Sequence, residues 1–97
     1  MTNNTNRANF DRYEDINLVN RYGDYEAGIH VIPEEDLILV WDEGCLEERR
    51  LAEYPAALAD LRSIYAEYLH DATDDESAAV IAENLDTLDR AIAELAE

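Results

Sequence analysis

Near the C-terminus, Ile81, Leu85, Leu88, Ile92 and Leu95 are separated by 4, 3, 4 and 3 positions. An α-helix turns about 100° per residue, so this spacing lines them up along one side of a helix. The stretch 75–96 is therefore predicted to be helical, with an apolar stripe that must be buried. A second helix is predicted over 55–70, where Leu58, Leu61, Ile64, Tyr65, Tyr68 and Leu69 share a side and Pro55 is tolerated in the first turn. Residues 72–75 form the link, with Thr73 or Asp74 as the cap of the last helix. So short a link makes the two helices antiparallel neighbours.

The partner for their stripes lies upstream. Residues 26–32 (EAGIHVI) and 37–41 (LILVW) are rich in β-branched and aromatic side chains, and Pro33, Glu34, Glu35 and Asp36 separate them. Two such runs around a short polar loop read as a β-hairpin. The second run is apolar on both faces, which predicts a strand inside the sheet and covered on both sides. Residues 16–20 are read as a further strand after a short turn, Tyr22-Gly23-Asp24 as a turn, and 45–53 as a short helix after Gly44 ends the sheet. The expected fold is α+β: an antiparallel β-hairpin or three-stranded sheet packed against a C-terminal antiparallel helical hairpin. The 97 residues suit one domain over 10–97, preceded by an Asn- and Thr-rich, flexible terminus over 1–9.

Charge sets the functional bounds. Twenty-four Asp and Glu face seven cations, for a formal net charge of −17, and every cation is an arginine. Such a surface repels nucleic acid and anionic membranes. The N-terminus has no apolar core of a signal peptide, and no apolar run reaches the ~20 residues that span a bilayer. Cys45 stands alone, which suits a reducing cytoplasm, the expected location. No Gly-rich phosphate loop, CxxC or HExxH is present, and Asp71, Thr73 and Asp75 lack the glycine and glutamate that a Ca²⁺ loop requires after them. His30 reads as a strand residue, His70 as a helix-end cation and Cys45 as a thiol without a catalytic role. No enzyme, cofactor or metal site is expected.

The carboxylates themselves are the candidate site. On the last helix Glu76, Glu83, Asp86 and Glu94 fall opposite the apolar stripe, and Asp74 and Asp75 precede them. Asp60, Glu67 and Asp71 share the outer face of the helix before, with Glu53 in line. The hairpin loop adds Glu34, Glu35 and Asp36, and Asp42, Glu43, Glu47 and Glu48 follow the second strand. A chain of this length is roughly 30–35 Å across. Duplex DNA of that length carries on the order of 20 phosphate charges, comparable to the acid count here. Tyr22 and Tyr25, expected to be exposed beside acids, suit an arginine-rich partner.

In size, in acidity without lysine, and in its acidic segments DDES (residues 74–77) and AELAE (residues 93–97), the chain resembles the small acidic DNA-mimic inhibitors encoded by phages and mobile elements, of the anti-CRISPR and anti-restriction types. The resemblance implies a partner that is a basic nucleic-acid-binding protein of the host, such as a CRISPR effector, a restriction enzyme or another DNA-processing enzyme, whose groove is occluded without turnover. It rests on composition and carries no residue-by-residue roles. Two other readings compete. One is a halophilic or otherwise acid-adapted small interaction or adaptor protein with no mimicry. The other is an antitoxin-like protein that neutralises one basic partner. A leftover apolar surface also leaves room for a homodimer.

Overall fold

The computed structural model describes residues 12–42 and 44–96. The expectations for residues 1–9, Glu43 and Glu97 lie outside them. Six main elements follow in order: β1 (Ile16–Val19), β2 (Tyr25–Ile32), β3 (Leu37–Asp42), β4 (Cys45–Arg50), α1 (Tyr54–Asp71) and α2 (Asp75–Ala96). The strands make an antiparallel meander in the order β1-β2-β3-β4, and the helical pair follows it. The α+β class with a C-terminal helical hairpin is thus the observed one, with a fourth strand added to the sheet.

That fourth strand corrects the helix expected over 45–53. Its residues are good helix formers, but Asp42 pairs with Cys45 across a two-residue hairpin loop, and Gly44 has φ 89°. Such tight loops need a positive φ, which glycine supplies at little cost. Pairing with β3 then overrides local propensity. Helical geometry appears only in the 3₁₀ turn Leu51–Glu53, where Glu53 accepts the Arg50 N–H at 3.2 Å and Leu51 is buried.

Alternation decides the faces. Ile16, Leu18, Ala27, Ile29 and Ile38 point to the helices and form one core with Leu51, Tyr54, Leu58, Leu61, Tyr65 and Leu88. The predicted stripe residues Ile81, Leu85, Ile92 and Leu95 pack at its edge. Each core aliphatic contributes about 1.5–3 kcal/mol by leaving water. Asp74 caps α2, its carboxylate accepting the Ser77 N–H at 3.1 Å. β3 lies inside the sheet as expected, and on the face away from the helices its outward side chains are half-buried. Ile32, Leu37, Leu39 and Trp41 belong to no part of the helix-covered core, and Leu46 is 65% exposed.

The two sheet edges are closed differently. At β1, the buried Asn84 of α2 makes two hydrogen bonds to the backbone of Val19. At β4, residues Glu47 to Arg50 are all charged. A run of charged side chains is one way an exposed edge strand is kept from pairing with apolar strands.

Candidate functional site

The topology gathers carboxylates at both ends of the molecule. At one end lie the start of β1, the β2–β3 loop, the end of β4, the start of α1 and the end of α2. Tyr54 organises this end. Its hydroxyl donates to the Glu14 carbonyl at 2.7 Å, the Glu14 N–H donates back at 3.3 Å, and its ring stacks on Tyr13 with centroids 4.3 Å apart. Burial, and then the charges of Glu14, Asp15 and Glu94 around it, push the Tyr54 hydroxyl up to about 12 although its bond to Glu14 acts the other way. Asp15 holds the Val31 N–H at 2.8 Å and faces His30 at 3.1 Å. Glu34, Glu35 and Asp36 stand on the same end, where Asp36, left-handed at φ 55°, meets Arg50 at 3.4 Å. A shallow cleft of about 180 Å³ lies between Arg12, Glu14, Tyr54 and Glu94.

The opposite end carries the β1–β2 turn and the α1–α2 link. The turn is shaped by Asn20, whose side-chain oxygen accepts the N–H groups of Tyr22 (2.9 Å) and Asp24 (3.0 Å), with Gly23 at φ 85°. Arg21 reaches Glu76 at 2.6 Å and Asp74 at 3.8 Å, so it partly neutralises the predicted Asp74, Asp75 and Glu76 group. The capping bond from Ser77 holds the Asp74 carboxyl below its ordinary range, with Arg21 helping. Tyr22 and Tyr25 are 78% and 67% exposed as expected, but Arg21 lies 5.6 Å over the Tyr22 ring, so the chain's own arginine takes one face of it.

Between the ends, the predicted acids divide. Glu47 and Asp60 both bind Arg49 at 3.0 Å, Arg62 reaches from α1 to Asp89 on α2, and Arg90 meets Asp86 at 3.2 Å. Glu34, Glu35, Glu48, Glu53, Glu67, Asp75, Glu83 and Glu94 are exposed, and among the described residues their carboxylates form no ion pair. Asp71 faces only His70, at 3.2 Å. The acidic surface is therefore interrupted by arginines, and Glu34 and Glu35 of the β2–β3 loop are among the acids left open.

Asp42 does not belong to that surface. One of its oxygens is buried and has no hydrogen-bond partner among the described residues. Beside it sits Glu26, which sequence reasoning missed because alternation places it on the outer face. The register shift between Leu18 and Val19 leaves Glu26 as an extra residue in β2 and turns it inward, where it accepts the Tyr65 hydroxyl at 2.7 Å. Burial, and then the Glu26 charge, raise the Asp42 carboxyl. Burial followed by the bond to Glu26 keeps the Tyr65 hydroxyl protonated. Glu14 and Asp15 were also missed: they precede the first strand, and only the fold brings them to Tyr54 and Glu94.

Among the described residues no group of three or more His, Cys, Asp or Glu is placed to hold a metal ion, and no helix is long and apolar enough to cross a membrane. Comparison with protein-family models, with curated proteins and with solved structures finds no match.

Proposed function

We infer that this is a non-catalytic binding protein of the cytoplasm that seats its carboxylates in a basic, nucleic-acid-binding groove of another protein and occludes it. The observation that carries the reading is the set of exposed carboxylates that form no ion pair among the described residues, above all Glu34 and Glu35, at the same end of the fold as Glu14 and Glu53. An ordinary acidic surface balances its acids with nearby cations. Here, among the described residues, several acids have no such cation, and a partner's cations would answer them. Long-range attraction would speed the encounter, and lysines and arginines of the partner would exchange their counterions for these carboxylates, so affinity should fall with salt.

Affinity purification of the tagged protein from a host lysate at low salt, followed by mass spectrometry, tests the reading. It expects a nucleic-acid-binding protein that elutes as salt rises. Retrieval of only proteins without a nucleic-acid site would replace occlusion by neutralisation of another basic partner. A chain that folds only at molar salt would replace it by halophilic adaptation.

A further inference from the structure

We propose that the face of the sheet turned away from the helices is a homodimer interface, in which two copies pack face to face about a two-fold axis that runs parallel to the strands, between the copies and over β3. The outward residues form three cross-strand rows. Gly28, Trp41 and Leu46 make the first, His30, Leu39 and Glu48 the second, and Ile32, Leu37 and Arg50 the third. The centre is apolar: Ile32, Leu37, Leu39 and Trp41 are half-buried and stand outside the helix-covered core, and Leu46 is 65% exposed. A contiguous apolar patch of this kind on a soluble domain marks a place of association.

Charge selects a second copy as the occupant. Outside this face the surface is dominated by acids and fits cationic partners. On the rows themselves the ionisable groups are Glu48, Arg50 and His30, the last facing Asp15 of the same chain at 3.1 Å, so acids and bases there are offset within the chain and a partner chosen for basicity gains little. The proposed axis lays each row over its own reverse. His30, Leu39 and Glu48 then meet Glu48, Leu39 and His30 of the other copy, and imidazole faces carboxylate twice. In the first row Leu46 lies over Gly28, the one outward position with no side chain, where the Trp41 ring forms the floor. Sheets stacked in this way sit about 10 Å apart, with their strands within roughly 30° of one another.

The contact is small. Three strands ~4.8 Å apart and about six residues long bury on the order of 800 Å² in total, the size of a weak and reversible association. Two copies of charge −17 also repel at long range, so dimerisation strengthens as salt screens them. This is opposite in sign to the salt dependence of the proposed partner binding, so the two ideas fail separately.

The chain has a single tryptophan, Trp41, which lies in the interface and reports on it directly. Sedimentation and tryptophan emission, followed from micromolar to near-millimolar concentration, should show a reversible dimer whose emission shifts to the blue as it forms and which tightens with added salt. Leu39→Glu, at the axis, should leave a monomer with unchanged far-ultraviolet circular dichroism. Glu48→Gln, on an exposed edge strand where folding is not at stake, should weaken the dimer about fivefold. A protein that stays monomeric with concentration-independent emission overturns the proposal, as does a dimer that both variants leave as tight as the parent.

Discussion

The carboxamide of Asn84 replaces a neighbouring strand for Val19: the Val19 N–H donates to its oxygen at 3.2 Å, and its NH₂ donates to the Val19 carbonyl at 2.8 Å. This one side chain, 4% exposed, ties α2 to the edge of the sheet. Asn84→Leu keeps the volume and removes both bonds, leaving two backbone groups short of partners. A loss of about 2–3 kcal/mol is expected in urea denaturation. Asn84→Asp keeps the acceptor only and should cost at least as much at neutral pH, recovering as the carboxyl is protonated.

Gly28 marks a second tie between strands. A Cβ there would stand 2.0 Å from the Ile16 carbonyl oxygen and 2.9 Å from the Trp41 ring. The first contact is with backbone that has no room to yield. Gly28→Ala should therefore destabilise by about 3 kcal/mol, far more than a glycine replaced in an open strand, and calorimetric or chemical unfolding would measure it.

The pair of Asp42 and Glu26 predicts a pH dependence. The folded Asp42 carboxyl titrates above its ordinary value, so the folded state holds this proton more tightly than the unfolded one. Its favourable contribution is complete below the unfolded value of about 3.9 and is lost as pH rises through the folded value. Asp42→Asn removes that loss, so the variant should be more stable than the parent at neutral pH, with the difference vanishing below about pH 4. Denaturation midpoints across pH read the effect directly. Tyr65→Phe acts the other way: it leaves Glu26 without its donor and should cost about 1–3 kcal/mol.

Salt should act mildly on the fold. Carboxylates at both ends repel one another, while arginine pairs such as Arg49 with Glu47 and Asp60 offset part of that repulsion. The core around Leu58, Leu61 and Leu88 does not depend on salt for its burial. The chain should be fully folded at low ionic strength, with a melting temperature that rises as salt is added. Circular dichroism melts at graded salt check this, and an unfolded spectrum at low salt would favour halophilic adaptation instead.

The parts legible in the sequence were those set by local pattern. The 4-3-4-3 stripe of α2, the apolar side of α1 and the β-branched runs around Pro33 each follow from backbone periodicity. The misread β4 shows the limit. Cys45 to Arg50 has helix-forming residues, and only pairing with β3 across Gly44 makes it a strand. Gly44 two residues after Asp42 was the available signal, since it fits a tight hairpin turn. Asn84 also carried one, as a polar residue on the stripe between Ile81 and Leu88. Glu26 carried none, because its inward turn depends on a bulge created by pairing with β1. For the candidate site, the acids of the β2–β3 loop were legible as a group. Which acids would be answered by arginine was not, since Arg21 and Arg62 find theirs through tertiary contacts across 53 and 27 positions, to Asp74 and Asp89.

Competition with nucleic acid tests the central claim most directly. A protein captured from lysate is titrated with this chain in the presence of a duplex or single strand that it binds, at several salt concentrations. Mutually exclusive binding is expected, with an affinity that falls as salt rises and falls again, about tenfold, when Glu34 and Glu35 are both changed to Gln. Simultaneous binding of the chain and the nucleic acid to the same target, or an affinity indifferent to salt and to those substitutions, would contradict it.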